Sequence, residues 1–202
     1  MKRLLYLAVC VCWVLCAGAP CSAASEKWQT LTNCVLLANR ANDGDSFHVK
    51  HAGREYIFRL CFVDTPETSL TVEQRVVEQA AYWGISVTAA VAVGEQATAF
   101  TADFLSSGFT VYTRFDDAKG ASRLPRYFAF IVVKGKHLSE ALVAQGLARV
   151  YGYQPNLPDG ADRRKYRAHL LQIEADAKRA GRGAWGVKKA KKRKVARRRE
   201  EG

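Results

Sequence analysis

Residues 42–67 read NDGDSFHVKHAGREYIFRLCFVDTPE, and the fold follows from them. Asn42 to Gly44 holds residue types that accept turn conformations and bond their own backbone, which puts Asp43 and Asp45 on a bend. Ser46 to Lys50 then alternates Phe47 and Val49 with polar neighbours. After the turn at His51-Ala52-Gly53-Arg54, Glu55 to Val63 alternates again, and this pattern predicts a β-hairpin. In its second strand Tyr56, Phe58, Leu60 and Phe62 share one face, and Ile57, Arg59, Cys61 and Val63 the other. Arg59 interrupts an apolar row. A guanidinium there needs a carboxylate or phosphate partner, because an unpaired buried charge is costly. Pro66 has no N–H to donate and ends the strand. The stretch thus holds carboxylates suited to a hard cation, a guanidinium suited to phosphate charge, and a further carboxylate able to activate water.

Outward from the hairpin, Lys27 to Leu37 reads as an entering strand through Trp28, Leu31, Val35 and Leu36. Residues 68–93 are helical in composition, most clearly Val72 to Ala81, and Glu95 to Leu105 reads as a second helix stopped by Gly108. Phe109 to Phe115 and Tyr127 to Val133 read as strands, separated by a basic loop from Asp116 to Arg126. Ser139 reads as the N-cap of a short helix, Glu140 to Gln145, that Gly146 ends. Arg163 to Ala180 has helical spacing through Tyr166, Leu170, Ile173 and Ala177. These elements predict an α+β domain: a five-stranded OB-like β-barrel with about three packed helices and a helical insertion.

The ends carry different information. Lys2 and Arg3 precede an apolar run from Leu4 to Ala17, and Ser22 and Ala24 are spaced for cleavage before Ser25. This order predicts a signal peptide over 1–24 and a secreted or periplasmic chain. The run falls short of the roughly 18 or more apolar residues of a spanning helix, so no integral span is expected after cleavage. Leu15 and Pro20 stand where a lipidated cysteine would follow a small residue, which argues against a lipid anchor. The expected mature chain keeps two cysteines, Cys34 and Cys61, which read equally as a disulfide or as two buried thiols. The domain is assigned to 25–187 and a basic disordered tail to 188–202. That tail has nine Lys or Arg against Glu200 and Glu201, and so carries seven of the chain's twelve net positive charges. Nucleic acid is its expected partner, and an acidic surface polymer is the rival.

At particular residues the chain resembles the staphylococcal nuclease (thermonuclease) family. The resemblance rests on Asp43-Gly44-Asp45, Phe58-Arg59-Leu60, Val63-Asp64-Thr65-Pro66-Glu67, Ala97-Thr98-Ala99-Phe100-Thr101, Glu140-Ala141-Leu142-Val143 and Gln145-Gly146-Leu147-Ala148. It runs in the family's order over roughly residues 30–186. It implies an OB-like barrel with three helices that cleaves DNA and RNA with calcium and leaves 3′-phosphate ends, acting as a monomer. Carried over by position, Asp45 and Asp64 would be calcium carboxylates and Thr65 would offer its carbonyl. Arg59 and Arg126 would bind phosphate, and Glu67 would activate water.

The chain departs from the family pattern in two places. Arg123-Leu124-Pro125 precedes Arg126 where the family has an aromatic residue and a glycine. Thr68 to Gly94 is on the order of fifteen residues longer than the family's loop, enough for its own helical turns. That insertion reads either as a wall of the substrate groove or as a peripheral loop. The site residues also have ordinary readings: Asp43 and Asp45 as turn residues, Glu67 as a helix cap, Arg126 as a solvated loop charge. His48, His51, His137 and His169 are scattered and offer no competing metal or triad pattern. A non-cleaving nucleic-acid-binding module on the same fold is the alternative function, and a basic surface-associated protein dominated by its tail is a third.

Overall fold

The computed structural model describes residues 27–120 and 122–189. The expected signal peptide and nearly all of the basic tail lie outside those residues. Strand β1 (Gln29–Leu36) pairs antiparallel with β2 (Ser46–His51), and β2 pairs with β3 (Arg54–Leu60) through the expected hairpin. On its other side β1 meets β5 (Phe109–Asp117), which pairs antiparallel with β6 (Arg126–Val133). A parallel ladder between β3 and β6 closes these five strands into a barrel. Two short ladders complete the pairing among the described residues: β4 (Val63–Asp64) with β8 (Arg149–Val150), and β7 (Lys136–His137) on β6.

The second hairpin strand is shorter than its alternation predicts. It ends at Leu60, because Phe62 adopts φ +69° and turns the chain. The two-face pattern therefore stops, and Cys61, Phe62 and Val63 are all buried. The Phe62 N–H donates to the Tyr153 carbonyl at 2.9 Å and its carbonyl accepts from the Tyr151 N–H at 2.8 Å. This left-handed residue sets the direction of Asp64 and the residues after it.

Among the described residues four α-helices pack on the barrel: α1 (Glu73–Trp83), α2 (Val87–Phe104), α3 (Leu138–Ala144) and α4 (Arg163–Arg179). Helix α2 starts at Val87, eight residues before the expected Glu95, with the Ser86 hydroxyl accepting from the Ala89 N–H. Helix α3 starts at Leu138, not after a Ser139 cap: the Ser139 hydroxyl donates to the Cys61 carbonyl at 3.2 Å. The insertion is not a peripheral loop. Val76, Trp83 and Val93 are at most 1% exposed and join the same core as Phe47, Phe58, Phe130 and Leu142. At about 1.5–3 kcal/mol per fully buried large apolar side chain, the insertion is part of what holds the domain together. Cys34 and Cys61 are buried free thiols, and burial pushes the Cys34 thiol up to about 11. Among the described residues no single helix is long and apolar enough to cross a membrane.

Candidate active site

The bend before β2 is built by hydrogen bonds from its own residues. One Asp43 carboxylate oxygen accepts the N–H of Asp45 at 3.0 Å and of Ser46 at 2.6 Å. Gly44 lies against α2, where a Cβ would fall 2.7 Å from the Ala97 Cβ, and the Thr101 hydroxyl donates to the Gly44 carbonyl at 2.7 Å. Only glycine fits under that helix. The clamp fixes Asp45, which is 2% exposed. Its Oδ2 accepts from Arg59 Nη2 and from the Thr65 N–H, both at 3.1 Å.

Arg59 faces Ser46 across the hairpin and bridges two carboxylates, donating to Asp64 Oδ1 at 2.8 Å as well as to Asp45. This supplies the partner that its apolar row demands. Asp64 is almost wholly buried, and two further arginines meet it. Arg75 from α1 also donates to Oδ1, and Arg149 from β8 reaches Oδ2 through Nε at 3.0 Å. Arg149 continues to Glu78 with both terminal nitrogens and lies over the Tyr151 ring, 4.3 Å from its centroid.

Gln79, fully buried on α1, holds the segment between Asp64 and Glu67. Its Nε2 donates to Asp64 Oδ2 at 3.0 Å and to the Thr65 carbonyl at 2.9 Å, while its Oε1 accepts the Glu67 N–H at 2.9 Å. The Glu67 carboxylate pairs with Arg75 Nε at 2.7 Å. Burial raises the Glu67 carboxyl above its usual range; Arg75 opposes this, and the charges of Asp45 and Asp64 add to it. Burial, then the charge of Asp45, pushes Asp43 well up, and burial is also the main cause of the rise at Asp45.

Arg126 belongs to β6 rather than to the preceding loop. Parallel pairing with Ile57 sets it beside the Arg59 strand, where its Nε donates to the Lys119 carbonyl at 2.8 Å and its Nη1 to the Ser46 hydroxyl at 3.4 Å. Burial, with help from the Arg59 charge, pulls its pKa below the ordinary value. Arg59, Arg75, Arg126, Asp64, Tyr151 and Tyr153 line one cleft of about 170 Å³. A larger cavity of about 730 Å³ is lined by Leu36, Arg40, Asp43, Phe47 and Thr101 among others, and contains none of the cleft's three arginines. Chemistry rather than size singles out the smaller one.

All six residues singled out from sequence therefore come into one neighbourhood: Asp45, Arg59, Asp64, Thr65, Glu67 and Arg126. Arg75, Gln79 and Arg149 were not foreseen. Arg149 carried the same signal as Arg59, a lone guanidinium in the apolar run Ala148 to Val150. Gln79 had none. Among the described residues no three His, Cys, Asp or Glu side chains form a metal cage. The candidate donors are instead two carboxylates and the Thr65 carbonyl.

Residues 57–187 match the family described as staphylococcal nuclease homologue. The match takes in all of these site residues except Asp45. Two relatives come from Bacillus subtilis (strain 168). Endonuclease YncB is 33% identical over 141 residues, 69% of this chain and 57% of that protein. SPbeta prophage-derived endonuclease YokF is 28% identical over 151 residues, 74% of this chain and 43% of that protein. An uncharacterized protein of Bacillus anthracis is 27% identical over 150 residues, 72% of this chain and 58% of that protein. The chain spans about half the length of the curated relatives it matches.

Proposed function

The chain belongs to the staphylococcal nuclease homologue family, and from that premise we propose that it is a nuclease. Its active site is the cleft of Arg59 and Arg126, with Glu67 reached through Arg75. One observation carries this reading: two arginines far apart in sequence share a cleft with Asp64, and a carboxylate held above its usual range stands one ion pair away.

Arg59 and Arg126 hold non-bridging phosphate oxygens and stabilise the charge that builds on them during attack. Glu67 takes the proton of the attacking water, and its upward shift brings it nearer the operating pH, as suits a general base. Water adds to phosphorus, the bond to the 5′ oxygen breaks, and the product carries a 3′-phosphate. Arginine contacts to phosphate carry no sequence information, which supports DNA and RNA as substrates alike.

The donors present fit a hard divalent cation. Asp45, Asp64 and the Thr65 carbonyl offer only oxygen, and the desolvated Asp43–Asp45 pair gains from a nearby positive charge. Calcium, which accepts irregular oxygen coordination, is the ion we propose; once bound it neutralises phosphate charge. The order of residues 1–24 supports export, and the run from Lys188 to Arg199 supports a second contact with nucleic acid.

The test incubates the chain from Ser25 with single-stranded DNA and RNA, with calcium or with chelator, beside Glu67→Gln. Calcium-dependent cleavage that falls about 10²–10⁴-fold in the variant is expected. Tight binding without cleavage by the unmodified chain would replace the enzyme with a binding module on the same fold.

A further inference from the structure

Arg75 stands where the site's positive charge is needed, and it comes from the insertion. Its Nη2 donates to Asp64 Oδ1, the oxygen that also receives Arg59, and its Nε pairs with Glu67 at 2.7 Å. One side chain thus occupies both a proposed cation ligand and the proposed base. It is the least buried of the three charges in this cluster, about one-third exposed against 2% for Asp64 and 26% for Glu67. It lines the same cleft as Arg59 and Arg126. Arg149, by contrast, is 3% exposed and fixed by Glu78. Arg75 is therefore the cation with freedom to leave.

We propose that Arg75 is a resident counter-ion for Asp64 and Glu67, which a divalent cation displaces and which then serves as a third phosphate-binding arginine of the cleft. This rests on the cation reading given above. With no ion bound, the guanidinium stands between the buried Asp64 and the partly exposed Glu67 and pairs with both. An ion on Asp64 repels it and removes one of its partners. The freed fork already borders the cleft, where a phosphate offers oxygens in bidentate geometry. Cation and substrate then reinforce each other, because each is bound more tightly when Arg75 sits where the other needs it.

The prediction has an unusual sign. Removing a side chain that touches the proposed ligand should tighten the ion. Calcium alone is titrated calorimetrically into the chain from Ser25 and into Arg75→Ala, Arg75→Gln and Arg75→Lys, with Tm recorded for each. Tighter calcium binding by about fivefold in the Ala and Gln variants, and near-unchanged binding in Lys, is expected for loss of a competing charge that is about one-third exposed. A nucleoside 3′-monophosphate titrated at saturating calcium should bind about fivefold more weakly to Arg75→Ala. Equal or weaker calcium binding in both neutral variants, at unchanged Tm, would make Arg75 a positioning residue and overturn the proposal. Failure of the unmodified chain to bind calcium at all would overturn the cation reading instead. Should Arg75→Ala fail to fold, Arg75→Gln decides.

Discussion

Gln79 holds Glu67 by its backbone: the side-chain oxygen of the first accepts the N–H of the second at 2.9 Å, inside the protein. The same amide donates to the Thr65 carbonyl and to Asp64. A neutral side chain thus fixes the direction in which three charged or polar groups present themselves.

Gln79→Leu keeps the volume and removes all three bonds. Each buried polar group left without a partner costs about 1–3 kcal/mol, so a loss of several kcal/mol is expected in urea melts. Cleavage should fall by about 10²-fold even where the fold survives, since displacement of a catalytic group on the order of 1 Å has that effect. Retained activity at reduced stability would separate Gln79 from the chemistry.

At Gly94, α2 lies directly against the backbone of Pro66 and Glu67. A Cβ there would lie 2.5 Å from the Pro66 carbonyl oxygen and 2.6 Å from that of Glu67, and both are backbone. Gly94→Ala should destabilise by about 1–3 kcal/mol, or shift Glu67 and lower cleavage. Gly108→Ala is the control, since its nearest neighbour would be 3.9 Å away. Indistinguishable variants would refute the close packing.

His137 supplies a pH dependence remote from the cleft. It precedes α3, its Nδ1 is buried without a partner, and its ring meets Phe130 and Tyr166. Burial lowers its pKa below the ordinary 6.5, against the opposing charges of Glu140 and Asp159. The unfolded chain therefore takes up this proton first as pH falls. The contribution is fully present above about 6.5 and is lost as pH drops through the lowered folded value. His137→Phe removes the proton and the unpaired nitrogen, and should flatten the fall in stability between neutral and mildly acidic pH in urea melts. An unchanged slope would assign the acid sensitivity elsewhere.

Deletion of residues 190–202 should flatten the salt dependence of duplex DNA binding. Each neutralised phosphate contributes about −0.9 to the slope of log affinity against log salt. An identical slope in the truncated chain would remove nucleic acid as the tail's partner.

Much of the barrel and six of the nine residues named in the site could be read from residue order. The hairpin followed from alternation, and the partners of Arg59 from the cost of burying a bare guanidinium. Local pattern was silent where long-range packing decides. The helical composition of 68–93 did not show where one helix stops and the next begins: α1 ends at Trp83, and α2 runs unbroken from Val87 through Glu95 to Phe104. The alternation of β3 gave no warning that Phe62 turns with positive φ. Arg75 carried no signal of its own within the Val72 to Ala81 run, and only its bonds to Asp64 and Glu67 identify it.

The β3–β6 ladder has a consequence in time as well as in space. Ser46 and Arg126 touch across 80 residues of chain, and the parallel pairing of Ile57 with Arg126 is what unites them. Contacts of such separation are slow to form, because a long loop must close before they repay its entropy. A chain still emerging from synthesis has Arg59 and Arg126 on segments not yet joined. The cleft that Arg59 and Arg126 share is therefore complete only once the last strand of the barrel has paired.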